Sequence, residues 1–141
     1  MKPTPKGWPR ISSALYYDDP AKAIDWLCRA FGFEVRIKVE GDKGTIIHSE
    51  LELGEGLIMV AGVAADKGHA TPRANGNLNT QSCCVHIDDA DAHCARARAA
   101  GAKILVEPKV SDYGDDYWAD KSYECADPEG HRWWFMERIR G

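Results

Sequence analysis

The chain has 141 residues, of which 44% are hydrophobic and 28% charged, and this composition is typical of one compact globular domain. Its net charge of −4 and its dispersed Lys and Arg residues give no basic surface, so we expect no nucleic-acid partner. No apolar run reaches the roughly 20 residues of a membrane helix, and the N-terminal segment MKPTPKGWPR lacks the apolar stretch of a signal peptide. We therefore expect a cytoplasmic protein without a membrane partner.

The first half of the chain predicts a strand, a helix and three further strands. Residues 11–17 are rich in aliphatic and aromatic side chains and end at Asp-Asp-Pro, as a strand does before a helix. Asp19 is a suitable N-cap, Pro20 suits the first helical turn, and Gly32 suits the residue that ends the helix. The turn signals EGDKG and GEG then separate three predicted strands: 33–39, 45–53 and 57–62.

The second half repeats this order after a Gly-, Ala- and Asn-rich linker at residues 63–79. Asp88 and Asp89 correspond to Asp18 and Asp19, and Gly101 corresponds to Gly32, roughly 70 residues later. The predicted order is the strand QSCCVHI, an Ala-rich helix, the strand AKILVE, a polar loop PKVSDYGDD, and the strands SYECA and HRWWFMERI. The five cysteines are odd in number and show no CxxC spacing, so we expect them to be reduced.

The repeat predicts the fold class. We expect an α+β protein in which two β-α-β-β-β modules, residues 10–62 and 80–139, form curved mixed sheets around a shared cleft. One domain of residues 1–141 would contain both modules.

The motifs in this frame resemble the vicinal oxygen chelate superfamily, which includes glyoxalase I, extradiol dioxygenases and bleomycin-resistance proteins. The resemblance spans residues 10–139 and rests on the helix that ends in FGFE, on DDADAHCARARAAGA, on IIHSELELGEGLIMV and on YWADKSYECADPEGHRWWF. The last two segments are similar to the PhnB-like branch. The superfamily hosts lyases, isomerases, dioxygenases and binding proteins, so the resemblance implies a fold more than an activity.

In metal-dependent members, the resemblance implies a His or Gln in the first strand of each module and a Glu in the last strand. The corresponding positions here hold Ser12 and Ser82 in the first strands, Met59 or Val60 in one last strand, and Trp134 in the other. These side chains are poor ligands for a hard divalent cation. We therefore expect no metal and no cofactor.

Without a metal, the predicted site is an aromatic and polar binding pocket. His48 and Glu50 lie two apart on one strand and would share a face, as an exposed pair or as polar groups of the pocket. Trp133 and Trp134 must face opposite sides, and the resemblance assigns Trp134 to the pocket and Trp133 to the packing under a helix. The predicted ligand-binding residues are Ser12, His48, Glu50, Ser82, Trp118 and Trp134.

Three functions are compatible with these residues. The first is a metal-free small-molecule-binding protein that resembles bleomycin-resistance proteins, gives antibiotic resistance and sequesters a small aromatic or peptide-like compound. The second is a glyoxalase-, lyase- or dioxygenase-type enzyme acting on a small oxygenated substrate, with His48 and Glu50 in acid-base roles. The third is a dimeric scaffold without pocket chemistry. The resemblance also implies a homodimer.

Overall fold

The computed structural model describes residues 1–141, which form two compact units, Met1–Thr71 and Pro72–Gly141. Each predicted module lies within one unit, and each unit has the same order of elements. The α+β fold class with two β-α-β-β-β modules is confirmed. Neither helix is long and apolar enough to span a membrane.

The first unit is a four-stranded mixed sheet with one helix. Its elements are β1 (Ser13–Tyr17), α1 (Pro20–Phe31), β2 (Glu34–Glu40), β3 (Ile46–Leu53) and β4 (Gly56–Gly62). The strand order is β1-β4-β3-β2, with β1 parallel to β4 and the other pairs antiparallel. The predicted ends of α1 are confirmed: Asp19 accepts a hydrogen bond from the Lys22 amide, and Gly32 is left-handed with φ of 87°.

The second unit repeats this topology. Its elements are β5 (Cys83–His86), α2 (Ala90–Ala99), β6 (Lys103–Asp112), β7 (Ala119–Ala126) and β8 (Arg132–Arg140). The strand order is β5-β8-β7-β6, with β5 parallel to β8. The two helices differ in the side chains that they bury: α1 buries Ile24, Trp26, Leu27 and Phe31, whereas α2 buries Ala90, Cys94 and Ala97.

One predicted loop was wrong. The segment PKVSDYGDD was expected to be a polar loop, but its first five residues, from Pro108 to Asp112, belong to β6. Pro108 lies between the Val106–Glu124 and Lys109–Ser122 pairs, where the ladder is irregular, and it therefore takes no regular place in the pairing. Because the irregular pairing accommodates Pro108 within β6, the β6–β7 hairpin is longer than the sequence predicted.

Each sheet has one face against its helix and one face away from it, which we call the open face. In β4, Val60 is fully buried, whereas its neighbour Met59 is only half-buried and points to the open face. The open faces are the surfaces on which the repeated modules can present side chains to a ligand.

The cap of α2 gives a test of the fold. The Asp89 carboxylate accepts a hydrogen bond from the Ala92 amide at 2.9 Å, so Asp89→Ala should lower the free energy of unfolding by about 1 kcal/mol in urea denaturation. Asp88→Ala is the matched control, because Asp88 is exposed and forms no bond to the helix. Equal losses in the two variants would contradict the capping role.

Candidate functional site

The first unit aligns three side chains across its open face. The parallel register of β1 and β4 places Ala14 opposite Met59, and the antiparallel register of β3 and β4 places Glu50 opposite Met59. Residues opposite one another project to the same face, so Ala14, Met59 and Glu50 form a row. The sequence left open whether Met59 or Val60 faces the predicted pocket, and in the structure Met59 lies on the open face.

Glu50 is a buried carboxylate at the β3 end of this row. It is only 5% exposed, and its Oε1 lies 3.0 Å from Nε2 of His48. Its Oε2 lies 3.5 Å from Nε of Arg36, but this buried oxygen accepts no hydrogen bond from the protein. The prediction that His48 and Glu50 share a face is therefore confirmed, and Oε2 of Glu50 is left without a hydrogen bond beside the Arg36 cation.

Arg36 is a site residue that the sequence did not reveal. Simple alternation along β2 would place Arg36 and Lys38 on the same face, but the register shifts between Val35 and Ile37 and separates them. The Arg36 guanidinium donates to the carbonyl oxygens of Gly7 at 2.7 Å and Lys6 at 3.3 Å. The segment before β1 thus holds this cation beside Glu50.

Two further polar atoms of the first unit are buried without a hydrogen bond. They are Oγ of Ser12, just before β1, and Nδ1 of His69, in the segment after β4. The His69 ring stacks on Tyr16, with 3.6 Å between centroids and 18° between planes. Tyr16 follows Ala14 by two residues and so shares its face. Ser12 was predicted for the site, whereas Tyr16 and His69 were not.

The second unit has a corresponding row on its open face. Cys84 lies opposite Trp134, and Trp134 lies opposite Glu124, as Ala14, Met59 and Glu50 do in the first unit. Trp133 is fully buried on the other face and donates its indole N–H to Oδ2 of Asp127 at 3.2 Å. The predicted opposite orientations of Trp133 and Trp134 are confirmed.

Glu124 repeats the buried carboxylate of the first unit. It is 5% exposed, and Nε of Arg132 lies 2.6 Å from its Oε1, although not in hydrogen-bonding geometry. Each open face therefore carries a buried Glu beside an Arg. Sequence reasoning missed Glu124 and Arg132, since only the strand register shows that Glu124 occupies the position of Glu50.

The remaining predicted residues lie apart from these rows. Ser82 is exposed and precedes β5. Trp118 is 39% exposed, contacts Tyr113 and Tyr117, and lies 5.1 Å below the guanidinium of Arg138. Trp134 lies opposite Glu124, and Glu124 follows Trp118 by six residues. Six residues of strand span about 20 Å, and this distance separates the two tryptophans. The structure brings His48 and Glu50 together but not Trp118 and Trp134.

Buried thiols do not supply a nucleophile. Burial raises the pKa of the Cys125 thiol to about 12, and burial also raises the pKa of the Cys94 thiol. Both thiols are therefore protonated near neutral pH and poorly reactive. Cys84 is the exposed thiol on an open face.

The row residues do not fit the metal site of the superfamily that the sequence resembles. The positions that would carry ligands hold Ser12 and Met59 in one unit and Ser82 and Trp134 in the other, so neither unit offers an imidazole or carboxylate there. Glu50 and Glu124 lie one strand away, each beside an Arg. No group of three or more His, Cys, Asp or Glu side chains is arranged to hold a metal ion.

Known structures share this fold along nearly the whole chain. TioX from Micromonospora sp. ML1 is 30% identical, with 94% of this chain and 100% of that chain covered and a TM-score of 0.71. TnmS3, an antibiotic binding protein from Streptomyces sp. CB03234, is 17% identical, with 91% and 92% of the two chains covered and a TM-score of 0.62. At this identity, the likeness to TnmS3 shows the fold alone.

Sequence comparisons also cover nearly the whole chain. An uncharacterized protein of Mycobacterium tuberculosis is 29% identical over 134 residues, which covers 94% of this chain and 76% of the relative. The family model of the Glyoxalase/Bleomycin resistance protein/Dioxygenase superfamily matches residues 10–135. With the repeated modules and their open-face rows, this match shows that the chain belongs to the Glyoxalase/Bleomycin resistance protein/Dioxygenase superfamily.

Proposed function

We propose that the protein binds a small aromatic or peptide-like molecule, without a metal, through a hydrogen-bond donor that reaches Glu50. The observation that carries the proposal is the buried Oε2 of Glu50, which accepts no hydrogen bond from the protein. An unsatisfied buried acceptor costs roughly 1–3 kcal/mol, and more when it is charged. A ligand N–H or O–H at this oxygen would remove that cost.

The surroundings of Glu50 suit an organic ligand. Met59 and Ala14 provide apolar contact area in the same row, and Tyr16 stacked on His69 extends that face with flat rings. Small-molecule sites are mainly apolar with a few placed polar groups, and Glu50 with His48 would supply those groups here. We extend the proposal to a role in antibiotic resistance, because the superfamily to which the chain belongs includes bleomycin resistance proteins. The proposed place in the PhnB-like branch rests on the segments IIHSELELGEGLIMV and YWADKSYECADPEGHRWWF.

Replacing Glu50 tests this function. A panel of antibiotics and aromatic metabolites that carry N–H or O–H donors is screened by thermal shift, because a specific ligand stabilises only the folded protein. For each compound that raises the melting temperature, Glu50→Gln should weaken the affinity by about 1.5–3 kcal/mol, the range for hydrogen bonds to charged groups.

Glu52→Gln is the matched control for this measurement. Glu52 lies two residues along the same strand, faces the same way and forms no ion pair. Its substitution removes the same charge but should leave the affinity nearly unchanged. Equal affinities in the Glu50 and Glu52 variants would contradict the proposed role of Glu50.

An enzymatic function is the second candidate, and the His48–Glu50 hydrogen bond favours it. A carboxylate that holds an imidazole can orient it for general acid-base chemistry. A glyoxalase-, lyase- or dioxygenase-type reaction would use this pair, with or without a metal bound outside the family positions.

Elemental analysis separates the binding proposal from a metal-dependent enzyme. Protein purified without chelator should contain no stoichiometric nickel, zinc, iron or manganese, because the family positions lack good ligands. Near-stoichiometric metal that is lost in His48→Ala but kept in His86→Ala would overturn the binding proposal and favour the enzyme. His86 is a suitable control because it is exposed on the open face of the second unit, opposite Met136.

We also propose a cytoplasmic homodimer. The edge strand β2 exposes Ile37 and Val39, and exposed apolar side chains on an edge strand favour association with a second copy. Light scattering at micromolar concentration should give twice the 15.6 kDa chain mass, and a single-chain mass would contradict the dimer.

A further inference from the structure

We propose that a cavity in the second unit binds the carboxylate or phosphate group of a small molecule with an apolar body. The cavity measures about 410 Å³ and lies among β6, the β7–β8 turn and the segment before β5. Its volume is within the range of small-molecule sites, roughly 300–1,000 Å³. None of the six predicted ligand-binding residues lines it, so this inference does not depend on the proposed function.

Hydrogen bonds fix the walls of the cavity. The Arg73 amide donates to the Glu129 carbonyl at 3.0 Å, and the Asn79 side chain donates to the Gly130 carbonyl at 2.9 Å. The Asn79 side-chain oxygen also accepts from the Arg132 amide at 3.2 Å. Gly130 has φ of 92°, and a Cβ there would lie 3.0 Å from the Arg73 nitrogen, so only glycine permits this close approach. The cavity is therefore preformed.

The charges around the cavity are arranged with the negative groups inside the wall and the positive groups at the opening. Glu124, Asp127 and Glu129 are nearly fully buried, whereas the side chains of Arg73 and Arg132 are 54% and 42% exposed. The Asp127 carboxylate accepts hydrogen bonds from the amides of Glu129 and His131 and from the Trp133 indole. Asp127, which lines the cavity, is thus engaged by the protein. Glu129 and Glu124 pair with Arg73 and Arg132 at 3.6 and 2.6 Å, so the exposed parts of these ion pairs are the two guanidinium groups.

Lys103 adds a cation that the protein does not neutralise. It is exposed at the start of β6, lines the cavity and forms no ion pair or side-chain hydrogen bond. Its ammonium would pair with an oxyanion, which the planar guanidinium groups of Arg73 and Arg132 also recognise well. Leu105, Ala126 and Pro128 complete the lining with apolar surface. This combination defines the ligand class: an oxyanion attached to an apolar body.

Titration of the whole protein with two probes tests the site. Benzoate and phenyl phosphate are added at constant ionic strength while the backbone amide resonances of Lys103, Leu105 and Gly130 are followed by NMR. We expect saturable shifts with at least one probe, and the stronger probe shows whether carboxylate or phosphate is preferred. Neutral benzyl alcohol should give no saturable shift, because it lacks the charge that the cations bind.

Two lysine variants complete the test. Lys103→Gln should weaken binding of the stronger probe by about two- to fivefold, the upper part of the range for one accessible ion pair. Lys109→Gln is the matched control, since Lys109 is exposed on the same strand but does not line the cavity. Absence of saturation with both probes, saturation with benzyl alcohol, or equal weakening in the two variants would overturn the proposal.

Discussion

The parallel pairing of the first and last strands of each module is the constraint on which the rest of the structure depends. In each module the chain forms the helix and two further strands before the last strand pairs with the first. This pairing therefore joins the two ends of the module. It aligns Ala14 with Met59 and Cys84 with Trp134, and it thereby fixes which side chains share each open face. A shift of one residue in this register would turn Met59 inward and Val60 outward.

The two modules keep a common electrostatic feature while their other residues differ. Glu50 and Glu124 occupy the same position in the two sheets, and each lies beside an Arg from a different place in its module. Arg36 follows the helix of its module, whereas Arg132 begins the last strand. A buried carboxylate requires a compensating partner, and the two modules supply that partner in different ways.

Much of the fold could be predicted from the sequence because its signals are local. Asp19, Pro20 and Gly32 specify the ends of α1, and alternation correctly separates Trp133 from Trp134. The site was harder to predict, because it depends on register between strands that are distant in sequence. The shift in β2 that orients Arg36 and the opposition of Glu124 to Trp134 have no local signature. The irregularity at Pro108 likewise concealed the length of β6.

The unequal cores beneath α1 and α2 have a consequence for motion. The large side chains that α1 buries give its amide groups many apolar neighbours, whereas the alanines and cysteine of α2 leave much less apolar surface to expose when that helix detaches. Local opening requires less free energy where less apolar area becomes hydrated. Hydrogen exchange in α2 should therefore proceed through partial opening, while exchange in α1 follows more extensive unfolding of its unit.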